Sequence, residues 1–277
     1  MIEDNTEEIL VKDKTKAYIA GLIDGDGSLY IRHGEDSNGC SQYVADFHIY
    51  NTYLPIMKWL VKHFGGSWSI GRDATDEHKT SYVWSPQGAK HSDWVLSLII
   101  PYLQQKREQA KIFREYYALN GKKNPEKRFE LYTRCYSANH KDSVTTETLN
   151  FPEKQNLVNA YYAGLADAEG TFTIKCRDEK WGNHYVVEVS ATNTFEPIIR
   201  YLKSIYGGSI YPRKRSEIHK KQYDWAIYGA PNQEKFILNM LPYLVIKKHN
   251  ANVVLQFLRM SGEHNNEKRA KLFKSLQ

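Results

Sequence analysis

The sequence predicts an α+β protein of two pseudo-symmetric αββαββα domains, each with a four-stranded antiparallel sheet covered by helices on one face. Three observations predict it. The chain repeats itself, in order, along most of its length. Within each copy, helical stretches ended by glycine stand beside runs in which apolar and polar residues alternate. The 277 residues suffice for two ordinary domains, whereas two copies are too few for a stacked solenoid.

The repeat is plainest in AGLIDGDGSLYI (Ala20 to Ile31) and AGLADAEGTFTI (Ala163 to Ile174). Ala17 recurs as Ala160, Gly21 as Gly164, Asp24 as Asp167 and Gly27 as Gly170. Downstream, NTYLPI (Asn51 to Ile56) recurs as NTFEPI (Asn193 to Ile198), FGGS (Phe64 to Ser67) as YGGS (Tyr206 to Ser209), and Trp84 as Trp225. PYL at Pro101 recurs at Pro242, and GKKNPEKR (Gly121 to Arg128) as GEHNNEKR (Gly262 to Arg269). The spacing shortens by one residue twice, as single-residue changes in loops would produce. These matches place an N-terminal domain at 1–128, a polar surface linker at 129–157 and a C-terminal domain at 158–277. The arrangement is that of a dimer fused into one chain.

Each element follows in turn. A helix runs into the glycine–acid segment, and Gly27 and Gly170 end it as C-cap glycines do. The alternating runs SLYIRH and TFTIKC read as strands, and YVADFHIYN and YVVEVSATN as their partners. Pro55 and Pro197 then open amphipathic helices, which stop at Gly65-Gly66 and Gly207-Gly208. A second hairpin follows near 67–85 and 209–228. The helices AKHSDWVLSLIIPYL and REQAKIFREYYAL close the first copy, with counterparts in the second.

Composition narrows the function. Hydrophobic residues make up 41% of the chain and charged residues 25%, with a formal net charge of +6. That balance favours a polyanionic partner. Cys40, Cys135 and Cys176 form no CxxC pair and no zinc pattern, which fits an intracellular, reducing compartment. No stretch approaches the ~20 apolar residues of a membrane helix, so no membrane partner is expected. The acidic start, MIEDNTEEIL, resembles neither a signal nor a transit peptide.

The glycines need a reason, because glycine within a helix costs about 1 kcal/mol relative to alanine. On a helix, Ala17, Ala20/Gly21 and Asp24/Gly25 fall on one stripe, matched by Ala160, Ala163/Gly164 and Asp167/Ala168. Small residues at this spacing let two helix backbones approach closely. The two helices are therefore expected to pack across the pseudo-two-fold axis, with Ala20, Gly21, Asp24, Ala163, Gly164 and Asp167 at the domain interface. Asp24 and Asp167 are assigned hydrogen bonding at the helix ends. Asp26 and Glu169 stand one residue before the terminal glycines, where a carboxylate faces the negative end of the helix dipole. Side-by-side helices bring both acids to one point, where they repel. A divalent cation relieves such a pair, and hard oxygen ligands suit magnesium.

The segments IAGLIDGDG (Ile19 to Gly27) and YAGLADAEG (Tyr162 to Gly170) resemble the nine-residue signature of the LAGLIDADG homing endonucleases. The resemblance extends along nearly the whole chain, since the duplicated αββαββα order is that of the single-chain members. It implies a fold whose two sheets form a DNA-binding saddle. It also implies a monomer that acts as a pseudo-dimer, with the signature helices as the interface between halves. Asp26 and Glu169 would bind Mg²⁺, with Mn²⁺ as a substitute, together with backbone near Gly25 and Ala168. Lys106 and Lys247 would supply the basic residue near each catalytic centre. Asn51 and Asn193 would supply a polar residue at the end of the second strand. The implied reaction is metal-dependent phosphodiester hydrolysis of double-stranded DNA at a long non-palindromic target, leaving short 3′ overhangs. An RNA maturase acting on intron RNA, or a non-cleaving DNA-binding regulator, is the alternative on the same fold. An organelle or a microbial cytoplasm is the compartment expected of such a protein.

Strand alternation then assigns a DNA face. Counting by twos from the acids gives Ser28, Tyr30 and Arg32 in the first copy, and Thr171, Thr173, Lys175 and Arg177 in the second. Leu29, Ile31, Phe172, Ile174 and Cys176 alternate with them and should face the helices. Gln42, Asp46, His48, Glu188 and Ser190 share the outward phase on the second strands. Arg72, Arg213, Lys214 and Arg215 are the candidates on the second hairpins, and PRKRSEIHKK (Pro212 to Lys221) is expected to contact phosphates. The acidic members would accept from cytosine or disfavour wrong sequences.

Overall fold

A computed structural model of the chain describes residues 11–35, 37, 39, 41–119, 124–140, 149–179, 182–213, 220–260 and 266–276. The N-terminal half begins with α1 (Asp13–Asp26), β1 (Gly27–Glu35) and β2 (Ser41–Asn51). It continues through α2 (Leu54–Phe64), β3 (Ser67–Arg72), β4 (Ser81–Ser85), α3 (Gly88–Ile99), α4 (Arg107–Ala118) and α5 (Pro125–His140). The second half repeats this order with α6 (Gln155–Glu169), β5 (Gly170–Glu179), β6 (Gly182–Asn193) and α7 (Glu196–Tyr206). It closes with β7 (Ser209–Arg213), β8 (Gln222–Ile227), α8 (Ala230–Met240), α9 (Lys248–Arg259) and α10 (Asn266–Lys274). The sheets have the orders β1-β2-β4-β3 and β5-β6-β8-β7, antiparallel throughout.

The repeated landmarks have local physical causes. Pro55 and Pro197 sit in the first turns of α2 and α7, where a missing N–H costs nothing. Both helices stop at a glycine pair in the left-handed region, with φ of +67° and +81° at Gly65 and Gly66 and +73° and +85° at Gly207 and Gly208. Trp84 and Trp225 are fully buried, and each indole N–H donates to the first glycine carbonyl, Gly65 O at 2.9 Å and Gly207 O at 2.8 Å. The recurring tryptophan thus satisfies the end of the recurring helix and fills the core beneath the sheet.

One expectation holds with a different backbone and another is corrected. Gly27 and Gly170 cap α1 and α6, their N–H groups donating to the Ile23 and Ala166 carbonyls, but in extended backbone, with φ of −74° and −85°, and each opens a strand. They are glycine for room, because a Cβ would lie 2.7 Å from the Ile23 or Ala166 carbonyl oxygen. The expected linker at 129–157 begins inside α5, which packs on β1 through Leu131 and Cys135. Only two of its sixteen residues are buried, so its sequence shows little amphipathic period. Its counterpart α10 explains why GKKNPEKR and GEHNNEKR recur: both run into the first turn of this extra helix.

The halves meet along α1 and α6, which pack at backbone distance. A Cβ added to Gly21 would stand 1.9 Å from Tyr161 O, and one on Gly164 would stand 1.9 Å from Tyr18 O. At the far end of the pair, a Cβ on Gly25 would stand 2.3 Å from the Ala168 Cβ. No described helix is long and apolar enough to cross a membrane. Cys135 and Cys176 are free thiols, and Cys40 lies outside the described residues.

Candidate active site and sheet face

Helices α1 and α6 end side by side and deliver Asp26 and Glu169 to one place. Burial raises the pKa of both carboxyls, and the charge of Asp26 raises that of Glu169 further. Gly25 spaces them: its missing Cβ would lie 3.3 Å from Glu169 Cγ. The environments differ. Asn51 Nδ2 donates to Asp26 Oδ2 at 3.0 Å, while its Oδ1 accepts from the Tyr53 N–H at 2.9 Å. Asn193 is buried and accepts from the Phe195 N–H at 2.7 Å. Among the described residues it makes no hydrogen bond to Glu169, which is the more exposed of the two acids.

Lys106 and Lys247 each aim their ammonium back at the end of a signature helix. Lys106 Nζ donates to the carbonyls of Ile23 (2.7 Å), Asp24 (3.0 Å) and Gly25 (3.3 Å). Lys247 Nζ donates to those of Ala166 (2.9 Å), Ala168 (3.1 Å) and Gly170 (2.7 Å). A cation at a helix C-terminus offsets the negative pole, and these two do so at carbonyls of the last helical turn and the residues just beyond it. Burial lowers the pKa of both lysines, and the charges of Asp26 and Glu169 oppose that shift. The two acids and two lysines therefore form one electrostatic cluster.

Asp24 and Asp167 lock the cluster together from behind. Asp24 accepts from the backbone N–H groups of Gln104 (2.8 Å), Gln105 (3.1 Å) and Lys106 (2.8 Å). Asp167 does the same for Val245 (2.7 Å), Ile246 (3.0 Å) and Lys247 (2.7 Å). Each also takes a hydrogen bond from the opposite half, Tyr161 Oη to Asp24 and Tyr18 Oη to Asp167, both at 2.7 Å. Sequence reasoning missed these tyrosines. Their signal was available, since each directly follows the matched alanine of the repeat, Ala17 or Ala160.

The donor set fits a hard divalent cation. Two carboxylates held close against the field of two helix ends are electrostatically frustrated, and a small dication relieves them. Among the described residues no group of three or more His, Cys, Asp or Glu side chains gathers. The Gly25 and Ala168 carbonyls, expected as metal ligands, already accept from the lysines. With two carboxylates as the principal donors, a hard dication here would take most of its ligands from water or phosphate.

Two sheet faces extend from this cluster. Ser28, Tyr30 and Arg32 lie opposite His48, Asp46 and Val44, and Gln42 lies opposite Gly34. Thr171, Thr173, Lys175 and Arg177 lie opposite Ser190, Glu188, Val186 and His184. Leu29, Ile31, Phe172 and Ile174 are buried toward the helices, and Cys176 is half-buried. After a bulge in β3, Arg72 pairs with Ser81, in the same phase as Val83 and Tyr50. Arg213 pairs with Gln222 and forms an ion pair with Asp224 at 2.8 Å. Lys214, Arg215 and most of PRKRSEIHKK lie outside the described residues, as does the Arg177 side chain. The sequence reading omitted Tyr50, Thr192 and Asp224 from this face. Trp225, matched to buried Trp84, could have fixed the phase of QYDWAI and placed Asp224 outward.

No protein-family model matches the chain, and no curated protein matches it. Solved structures do. The chain matches the homing endonuclease I-SmaMI, bound to uncleaved DNA target in the presence of calcium ions, with a TM-score of 0.73. Identity is 16%, over 94% of this chain and 97% of that one. It matches I-GzeII in complex with its DNA target with a TM-score of 0.72 at 14% identity, over 94% and 96% of the two chains. I-SmaMI bound to cleaved DNA gives a TM-score of 0.67 at 17% identity, over 95% and 96%. The chain has the two-domain fold of the LAGLIDADG homing endonucleases.

Proposed function

We propose that the chain is a DNA endonuclease that hydrolyses one phosphodiester bond in each strand of a double-stranded target, with a divalent cation, Mg²⁺, held by Asp26 and Glu169. The observation that carries this reading is the convergence of those acids at the ends of packed helices, midway between two outward sheet faces. A cation held by Asp26 and Glu169 would supply Lewis-acid stabilisation of charge developing on the phosphate and the leaving oxygen. Asn51 orients the Asp26 carboxylate. Lys106 and Lys247 contribute fixed positive charge beside the scissile phosphates. Their amino protons are already committed to carbonyls, so they act as charges rather than as mobile proton donors.

The sheet faces bind DNA by laying strands along the major groove, where Arg, Lys, Ser and Thr side chains read base edges. The halves differ at matched positions, Arg32 against Lys175, Asp46 against Glu188 and His48 against Ser190. The target is accordingly non-palindromic, and the resemblance of IAGLIDGDG and YAGLADAEG to the family signature implies that it is long and cut to short 3′ overhangs. The test is incubation with a plasmid library of randomised sites, with Mg²⁺ and with a chelator, followed by sequencing of linearised products. One recurrent site cut only with Mg²⁺ supports the reading. Absence of any linear product across a saturating library refutes it.

A further inference from the structure

The outward sheet faces carry the acids Asp46, Glu188 and Asp224, whose charge would repel DNA phosphates, and each lies beneath a cation. Arg32 Nε and Nη2 both donate to Asp46, across the diagonal of β1 and β2. Lys175 forms an ion pair with Glu188 across the matched diagonal of β5 and β6. In the pairs Arg32–Asp46, Lys175–Glu188 and Arg213–Asp224, the cation side chains are 60%, 60% and 62% exposed and the acids 11%, 33% and 18%. The cations therefore stand outermost and cover most of each acid, Asp46 most completely and Glu188 least. A third polar group steadies each one. His48 Nε2 lies 3.6 Å from Asp46, Ser190 Oγ donates to Glu188 at 3.4 Å, and Thr192 Oγ1 donates to Asp224 at 2.8 Å.

Resting on the DNA-cleavage reading, we propose that Asp46 and Glu188, with Asp224, are specificity-positioning residues. Each holds the cation of the neighbouring strand with its remaining donors turned outward, and cancels its charge, so the pair discriminates bases while adding nothing to phosphate attraction. The geometry at Arg32 supports this directly. A guanidinium has five N–H donors in a fixed fork. Asp46 uses the Nε hydrogen and one on Nη2, leaving the Nη1 and outer Nη2 hydrogens, the edge that fits guanine O6 and N7. A charge already neutralised by the protein releases no further counterion when it meets DNA. The pairing also removes side-chain freedom before binding, so less is lost on contact. Lys175 offers a point charge in place of a fork, so its half-site is read less strictly at the matched position. Asp224 has no acidic counterpart: Val83 and Tyr50 stand where the second half has Asp224 and Thr192.

The experiment compares the full chain with its D46N and E188Q variants in two assays. One is the salt dependence of binding to a labelled duplex of arbitrary sequence. The other is base preference after selection from a randomised duplex pool in Ca²⁺. Each variant unmasks one cation, so the slope of log K against log salt should steepen by about 0.9. Preference at a restricted set of positions should fall about tenfold. The R32A/D46N double variant should return the slope to that of the unaltered chain. E188Q carries the same test in the other half should D46N impair folding. Unchanged slopes with retained preference would overturn the proposal while leaving DNA binding intact. Failure of the unaltered chain to bind any duplex would overturn the DNA reading itself, and the proposal with it.

Discussion

Gly21→Ala offers a test in which two effects have opposite signs. In an isolated helix the change stabilises by about 1 kcal/mol. Here the new Cβ would stand 1.9 Å from Tyr161 O, 2.8 Å from Tyr161 C and 2.9 Å from Leu165 N. All three are backbone atoms, so no rotamer change relieves the contact. Ordinary contact requires the helices to separate by about 1.5 Å. Overpacking of this kind costs about 1–3 kcal/mol, and a backbone-on-backbone clash belongs at or above the upper end. The expected net loss is about 2 kcal/mol, or a Tm lowered by roughly 4–8 °C for a chain of this size. Thermal unfolding followed by circular dichroism measures it. Gly34→Ala is the control, since a Cβ there meets nothing within 4 Å. Gly164→Ala should cost the same, and the double variant less than the sum, because one separation relieves both clashes. Separation also moves Asp26 away from Glu169, and a shift on the order of 1 Å at reacting groups can cost about a hundredfold in rate. A Tm for Gly21→Ala equal to or above that of the unaltered chain would refute close packing of α1 on α6.

Three further outcomes follow from the acid–lysine cluster. Asp26→Asn with Glu169→Gln should stabilise the metal-free protein at neutral pH by about 0.3–1 kcal/mol per acid, the scale of a carboxylate at a helix C-terminus. Mg²⁺ should raise the Tm of the unaltered chain but not of this variant, read by calorimetry with and without chelator. The pH dependence has the corresponding sign. Both folded pKa values are raised, so the contribution of these groups is fully present below the ordinary carboxylate range and is lost as pH rises through the folded values. Stability of the metal-free chain should fall across that window, and the double variant should flatten the fall. Lys106→Met strips a charged donor from three helix-end carbonyls. It should cost about 1–3 kcal/mol in a denaturant titration and lower the cutting rate as well.

Much of this architecture was legible in the sequence because it is written twice. The matched Pro55/Pro197, glycine pairs and Trp84/Trp225 each do a local job that a single copy would have hinted at and two copies fixed. Alternation in β1 and β5 marked the outward face because Leu29, Ile31, Phe172 and Ile174 on the inner side are apolar and buried. The rest was hidden for physical reasons. Helix α5 buries only Leu131 and Cys135 and leaves Phe129 and Tyr136 exposed, so hydrophobic period could not separate it from a linker. Gly27 caps α1 as its place in the sequence suggests, but what requires glycine there is space beside the Ile23 carbonyl. The crossed Tyr18–Asp167 and Tyr161–Asp24 bonds join residues far apart in the chain, so the repeat marks the two tyrosines as matched while only the fold reveals which aspartate each one meets.

The central claim is that Asp26 and Glu169 serve hydrolysis of both strands at one metal-dependent site. It is tested most directly by cleavage of a recovered target carrying a different label on each strand, in Mg²⁺, resolved on a denaturing gel. The unaltered chain should cut both strands. The Asp26→Asn, Glu169→Gln variant should bind the same duplex with comparable affinity and cut neither. Cutting of either strand by that variant at the rate of the unaltered chain would contradict the account.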